Sequence, residues 1–357
     1  MQAVLTVDLA AVAENWRRLR ARHPGGAVAG VVKADAYGLG AAPVARALLA
    51  AGCRHFFVAH LAEGLEVRAA LGPGPMIAVL NGFAPGAEPG AALVPVLNGL
   101  GDVAAHAAAA RARAGGAAPA ILHLDTGMSR LGLDAAGLDR LAEEPALLAG
   151  LDLRLVMTHL ACADEPEHPL NAVQAGRFAA ACARLPPAPR SIANSSGIFL
   201  GPDFASDLAR PGCALYGINP TPGRPNPMRQ VVRLEAPVLQ TREIPAGATV
   251  GYGASWRAER PSRVATVAAG YADGYLRALS GRAAGFHAGR AVPLIGRVSM
   301  DLTTFDVTDA PGIGPGSTIT LIGPEQTPDD LAARAGTIGY EILTSLGARY
   351  RREYSGA

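Results

Sequence analysis

Between residues 27 and 218 the chain alternates short apolar runs with helix-like stretches, and few architectures accept that pattern. The apolar runs lie at 27–32, 55–60 (HFFVAH), 76–80 (MIAVL), 93–97 (LVPVL), 120–125 (AILHLD), 153–159 (LRLVMTH), 190–194 (RSIAN) and 213–218 (CALYGI). Helix-like segments stand between most of them, among them Gly40–Ala51 closed by Gly52, Gly101–Ala114 and Asn171–Leu185. A further helix opens the chain after Asp8, with Leu9, Val12, Trp16 and Leu19 on one face. Strands separated by helices build parallel sheets, and eight such units predict an α/β fold with a (β/α)8 barrel.

The texture changes at NPTPGRPNPM, where four prolines and a glycine mark a domain junction. Beyond it, short alternating runs such as VVRLEAPVLQ, RVATVAA, AVPLIGRVSM, TTFDVT and STITLIG read as strands. One helix is expected there, Pro328–Ala335. The expected organisation is a barrel over 1–225 and a mainly-β domain over 226–357. A formal net charge of +2 argues against a nucleic-acid partner. No long uncharged apolar run suggests a membrane span, and no secretory leader is visible. The four cysteines are widely spaced, which suits a reducing, cytoplasmic setting. No cluster has metal-ligand spacing.

Barrels of this class gather their chemistry at the C-terminal ends of the strands. Lys33 ends the first run, Arg130 follows the fifth and His159 ends the sixth. Asn194, Ser195 and Ser196 follow the seventh, and Arg210, Pro211 and Gly212 lie near the start of the eighth. Taken singly, an arginine or histidine at such a place is more often a packing or surface residue. Five matching ends are a different matter. Lysine and arginine together number 32, and every one is arginine except Lys33. Arginine keeps its proton at any physiological pH, whereas a desolvated lysine sheds it and becomes a nucleophile or base. A lysine at a strand end, with Tyr37 and a Ser/Gly loop nearby, suits pyridoxal phosphate. There is no GxxxxGK[ST] for ATP and no GxGxxG after a strand for a dinucleotide.

VVKADAYGLG resembles the cofactor-lysine signature of the alanine racemases. LDTGMSRLG, MTHLACAD, ANSSG, ARPGCALYG, VGYGASW, GYADGYLR, GRVSMD and GYEIL are similar to that family's segments, in its order. The resemblance implies a homodimer whose active sites each join one chain's barrel to the other's β domain. It implies an isomerase that interconverts L-alanine and D-alanine and supplies D-alanine for peptidoglycan. Lys33 would carry pyridoxal phosphate and act on the D-alanine side, and Tyr252 of the second chain on the L-alanine side. The cofactor pocket would take in Tyr37, His159, Asn194, Ser195, Arg210, Gly212 and Cys213. Tyr37 and Ser195 would bind phosphate, and Arg210 would face the pyridine nitrogen with His159 hydrogen-bonded behind it. Arg130, with Met300 and Asp301 from the second chain, would hold the substrate carboxylate. Asp164, Tyr271, Arg277 and Arg297 would line the substrate entrance. One base on each face of a planar carbon is what racemisation requires.

Three positions depart from the family pattern. His123 stands seven residues before Arg130, where many members have a carbamylated lysine. The expectation is that Arg130 is held by His123, water or an anion. Ser299 replaces a common cysteine. A phosphate-side tyrosine aligns with Ala348, so one phosphate hydrogen bond is expected to be missing, and Tyr350 is not taken as its substitute. Three other cofactor-binding readings are weighed, one of them a racemase of broader range that also takes serine or larger amino acids. A barrel decarboxylase of basic amino acids would place an acidic residue at the pyridine nitrogen, where this chain has Arg210. A cofactor carrier would have no use for Tyr252 or Met300–Asp301.

Overall fold

The computed structural model describes residues 2–88, 90–112 and 116–356. Seven parallel strands follow one another around a curled sheet: Gly30–Val31, His55–Val58, Met76–Val79, Val94–Leu97, Ala118–His123, Leu151–Met157 and Arg190–Ser191. The eighth position is Leu208–Ala209, which pairs in parallel with Ala27–Val28. Its far side is tied to the seventh position by the Arg210 N–H on the Ala193 carbonyl at 2.9 Å. The ring is thus a (β/α)8 barrel.

The expected eighth strand at 213–218 is a correction. Cys213–Tyr216 is a short 3-10 turn, and the strand lies five residues earlier. CALYGI is buried on all sides, and a short apolar run gives no periodicity to separate strand from helix. The shift matters for chemistry, because Arg210, Pro211 and Gly212 then follow the eighth strand rather than precede it. They stand at its C-terminal end, as the other candidate groups do.

The helices pack outside the ring as their apolar faces dictate. Leu9–Arg22 starts where the Asp8 carboxylate accepts the Ala11 N–H at 2.8 Å, and it buries Leu9, Val12, Trp16 and Leu19. Trp16 Nε1 donates to the Val28 carbonyl at 3.0 Å, pinning that helix to the strand Ala27–Val28. The other expected helices are Ala41–Ala51, Leu100–Ala112 and Leu170–Cys182. Residues 113 and 114 of the expected third helix lie outside the described residues.

The C-terminal half is built on a circuit of strands. Ser262–Val267, Thr303–Asp306, Arg290–Ile295, Ala284–His287, Thr318–Ile322 and Val232–Ile244 pair in that order. Val232–Ile244 then pairs with Ser262–Val267 to close it. The long strand serves both ends because its register shifts between Val238 and Gln240, and such a bulge bends a strand. Two strands extend this sheet from the chain's termini: Val4–Asp8, antiparallel to Val232–Ile244, and Arg351–Ser355, parallel to Val4–Asp8. Val4–Asp8, in the stretch expected as barrel, therefore lies in the β sheet. The helix Pro328–Ala335 forms as expected, capped by Thr327. A second one, Gly339–Ser345, reaches the barrel mouth, where Gly38 comes so close that a Cβ there would lie 2.6 Å from the Leu343 carbonyl oxygen.

Candidate active site

A cavity of about 370 Å³ opens at the C-terminal ends of the barrel strands. Lys33, Tyr37, Arg130, His159, Asp164, Asn194, Ser195, Arg210, Gly212 and Cys213 line it. The other six expected residues, Tyr252, Tyr271, Arg277, Arg297, Met300 and Asp301, are in the β domain and do not line this cavity.

Lys33 leads into an unusual backbone. Ala34, Asp35, Ala36 and Tyr37 all carry positive φ, between +52° and +58°. Non-glycine residues in this region are held against about 1–2 kcal/mol each. The turn is fastened from several sides. The Asp35 carboxylate accepts the Ala41 N–H at 2.6 Å, and the Tyr37 ring lies 4.7 Å from that of Tyr216. The Tyr216 hydroxyl donates to the Val31 carbonyl at 2.8 Å. Burial, and next the Arg130 guanidinium, lower the Lys33 pKa, with the Glu63 carboxylate opposing.

Opposite the turn, Ser195 Oγ accepts the backbone N–H groups of Gly212 at 3.0 Å and Ala214 at 3.3 Å. A Cβ on Gly212 would lie 2.3 Å from the Tyr37 hydroxyl, so only glycine leaves that space open. Two hydroxyls and two amide groups converge there, which is a donor set for phosphate. With an amine one turn away, the residues present fit pyridoxal phosphate.

Arg210 is almost fully buried. Its guanidinium donates to Ser191 Oγ and, at 2.6 Å, to the Thr158 carbonyl, while His159 Nδ1 lies 3.5 Å away. Burial lowers its pKa to about 10, which leaves it protonated at neutral pH. His159 is held well below the usual histidine range by burial and then by Arg210, Arg130 and Lys33, so it is neutral.

Sequence reasoning missed four residues here. Ser191 and Thr158 are the closest partners of Arg210, and Asn98 holds His123. Tyr340, from the helix Gly339–Ser345, stands in the cavity wall, its ring 6.4 Å from that of Tyr37. A tyrosine is thus present at the site, while Ala348 is exposed and Tyr350 is buried in the β domain. GYEIL carried the signal; its tyrosine was not given a role.

The β-domain residues gather on neighbouring loops. Tyr252 sits on the short turn Tyr252–Ala254, where a Cβ on Gly253 would lie 2.9 Å from Arg297 Nη1. The Tyr271 and Ala272 N–H groups donate to the Ser299 and Met300 carbonyls at 3.0 and 2.9 Å. Tyr252 is 69% exposed and Met300 54%, unusual for such large apolar side chains. Among the described residues no cluster has the makings of a metal site, and no helix is long and apolar enough to cross a membrane.

Two family models match the chain: "Alanine racemase, N-terminal domain" over residues 7–220 and "Alanine racemase, C-terminal domain" over 231–354. An alanine racemase of Acidiphilium cryptum is 59% identical over 355 residues, covering 98% of this chain and 97% of the relative. A protein of Mesorhizobium japonicum named "Alanine racemase, catabolic" is 53% identical over 359 residues, 99% of this chain and 93% of its own. Among solved structures, alanine racemase from Bartonella henselae with covalently bound pyridoxal phosphate superposes with a TM-score of 0.94 at 42% identity, covering 99% of both chains.

Proposed function

The chain belongs to the alanine racemase family, matched in both halves, and from that premise we propose that Lys33 and Tyr252 are its two proton carriers, one on each face of the substrate carbon. The protein is a pyridoxal-phosphate-dependent isomerase that interconverts L-alanine and D-alanine. The bound cofactor supplies the electron sink that makes the substrate's α-hydrogen acidic.

The chain's own residues do the rest. Ser195, Gly212, Ala214 and Tyr37 would hold the phosphate, with Tyr340 closing that wall. Arg210, protonated and committed to Ser191 and Thr158, would present a fixed donor to the ring nitrogen and would give it no proton. Cys213 and Asn194 shape the wall, and Arg130 meets the substrate carboxylate. Lys33, its amine made easier to deprotonate by burial and by Arg130, takes or returns the proton on its face.

The other face needs a second carrier. Tyr252 is the most exposed large apolar side chain among the described residues, and Tyr271 and Met300 are also exposed on the same domain. That exposure carries the reading that a second copy of the chain receives them over its barrel. In this homodimer Tyr252 and the Met300–Asp301 pair complete the partner's site, and Asp164, Tyr271, Arg277 and Arg297 line the way in. The setting we propose is the cytoplasm, and the use is D-alanine for peptidoglycan.

Mixing two inactive variants tests the shared site. Lys33→Ala and Tyr252→Phe homodimers, unfolded together and reassembled, should regain about a quarter of wild-type conversion of L-alanine to D-alanine, because half the pairs are mixed and each holds one intact site. A mixture as inactive as its parents overturns the shared site.

A further inference from the structure

The Glu63 carboxylate ties two loops together. Its Oε2 accepts the N–H groups of Ala59 and His60, at 2.7 and 3.1 Å, and closes the capping box of the helix Leu61–Leu71. A cap needs no more than that. Its Oε1 reaches elsewhere and accepts the Ala34 N–H at 2.7 Å, on the residue that follows Lys33 in the left-handed turn.

Resting on the reading of Lys33 given above, we propose that Glu63 is a positioning residue for that lysine. It acts in two ways. It fastens the first residue of a turn that resists its own conformation, and it sets a negative charge within reach of the amine. Arg130, Arg210, His159 and Asp164 line the cavity with Lys33, Tyr37 stands on its own turn, and Glu63 reaches the adjoining Ala34 N–H from the neighbouring strand–helix unit. Arg130 and Glu63 act on the amine with opposite sign. Glu63 thus moderates the lowering that burial and Arg130 impose, and leaves a lysine that can both give and take a proton.

A chain with one lysine allows a direct test. Trace acetylation of the cofactor-free full-length protein with acetic anhydride, read by peptide mass across pH, reports the protonation of Lys33 alone. Glu63→Gln should move the labelling midpoint to lower pH. It should also slow both directions of racemisation, by up to about 10²-fold if the amine is misplaced by an ångström, with KM for alanine little changed. Glu63→Asp keeps the charge but shortens the reach, and should restore the midpoint more fully than the rate. It also serves as the test if Glu63→Gln does not fold. A Glu63→Gln protein with wild-type rate overturns the proposal. So does a slowed protein whose midpoint has not moved, since a cap alone would do that; if only Glu63→Asp folds, a wild-type rate there overturns it. Borohydride treatment of the wild-type holoenzyme separates the two levels: a pyridoxyl tag absent from Lys33 sinks the reading of the site, whereas a tag present with indifferent Glu63 variants sinks only the role of Glu63.

Discussion

His123 Nδ1 lies 2.8 Å from Asn98 Oδ1, and this contact fixes the tautomer of a histidine placed seven residues before Arg130. The Asn98 amide nitrogen donates to the Leu80 and Val96 carbonyls at 3.0 and 3.3 Å, so Oδ1 is the acceptor and Nδ1 carries the hydrogen. Burial, then Arg210, lowers the imidazole pKa to about 4, with Arg130 adding to the effect against Asp125. A neutral ring with an unprotonated Nε2 therefore stands near Arg130. No carbamate is needed, so activity should be the same in buffers stripped of carbon dioxide and in added bicarbonate. Stimulation by bicarbonate would contradict this. Asn98→Leu leaves Nδ1–H without its partner and should cost about 1–3 kcal/mol of stability in urea unfolding, with a raised KM for alanine.

Ser191 makes the second prediction. Its hydroxyl donates to the Leu208 carbonyl at 2.5 Å, which turns its lone pairs toward Arg210. Ser191→Ala removes an acceptor from a buried guanidinium, at a cost of about 1–3 kcal/mol. If Arg210 faces the ring nitrogen, kcat should fall and the visible band of the bound cofactor should shift. An unchanged spectrum with reduced stability would confine Ser191 to the fold.

The strand-end cluster was legible in the sequence because a barrel puts reactive groups where apolar runs stop, and Lys33 stood out by having no other lysine beside it. Other features were not legible, for physical reasons. ADAY has no local preference for four left-handed residues; tertiary contacts from Glu63, Ala41 and Tyr216 impose them. Val4–Asp8 is a strand because it lies between Val232–Ile244 and Arg351–Ser355, partners that reach it from the far half of the chain. Tyr340 arrives from a helix that follows the β circuit, and no spacing predicts that return. Ser191 and Thr158 are ordinary residues until Arg210 points between them.

Acid should weaken the fold in a defined window. His123 falls from an ordinary 6.5 to about 4 when folded, and His159 is also held well below its usual range by burial and Arg210. Above 6.5 both histidines are neutral in either state and contribute nothing. As pH falls below that, the unfolded chain binds protons first, so stability declines toward pH 4. The slope is at most about 1.4 kcal/mol per pH unit for each histidine. Urea midpoints measured across this range should show the decline, and His123→Gln should make it shallower. A His123→Gln profile parallel to wild type would mean that the ring is not held neutral.

Arg349 links the two loops that the proposed dimer hands to its partner. Its guanidinium lies 3.1 Å from Asp273 and 2.8 Å from Asp301. Asp273 is buried and accepts the Gly270 N–H at 2.8 Å, at the base of the Tyr271 turn, while Asp301 follows Met300. One cation thus spaces the entrance tyrosine from the pair expected at the substrate carboxylate. Arg349→Met should raise KM for alanine severalfold and leave Lys33 tagging by borohydride unchanged, because the barrel is untouched. The bridge to Asp301 is half exposed, so salt should screen it. KM of the wild type should rise with ionic strength, and KM of Arg349→Met should respond less. Equal salt dependence in the two proteins would show that the bridge does not set the spacing of the loops.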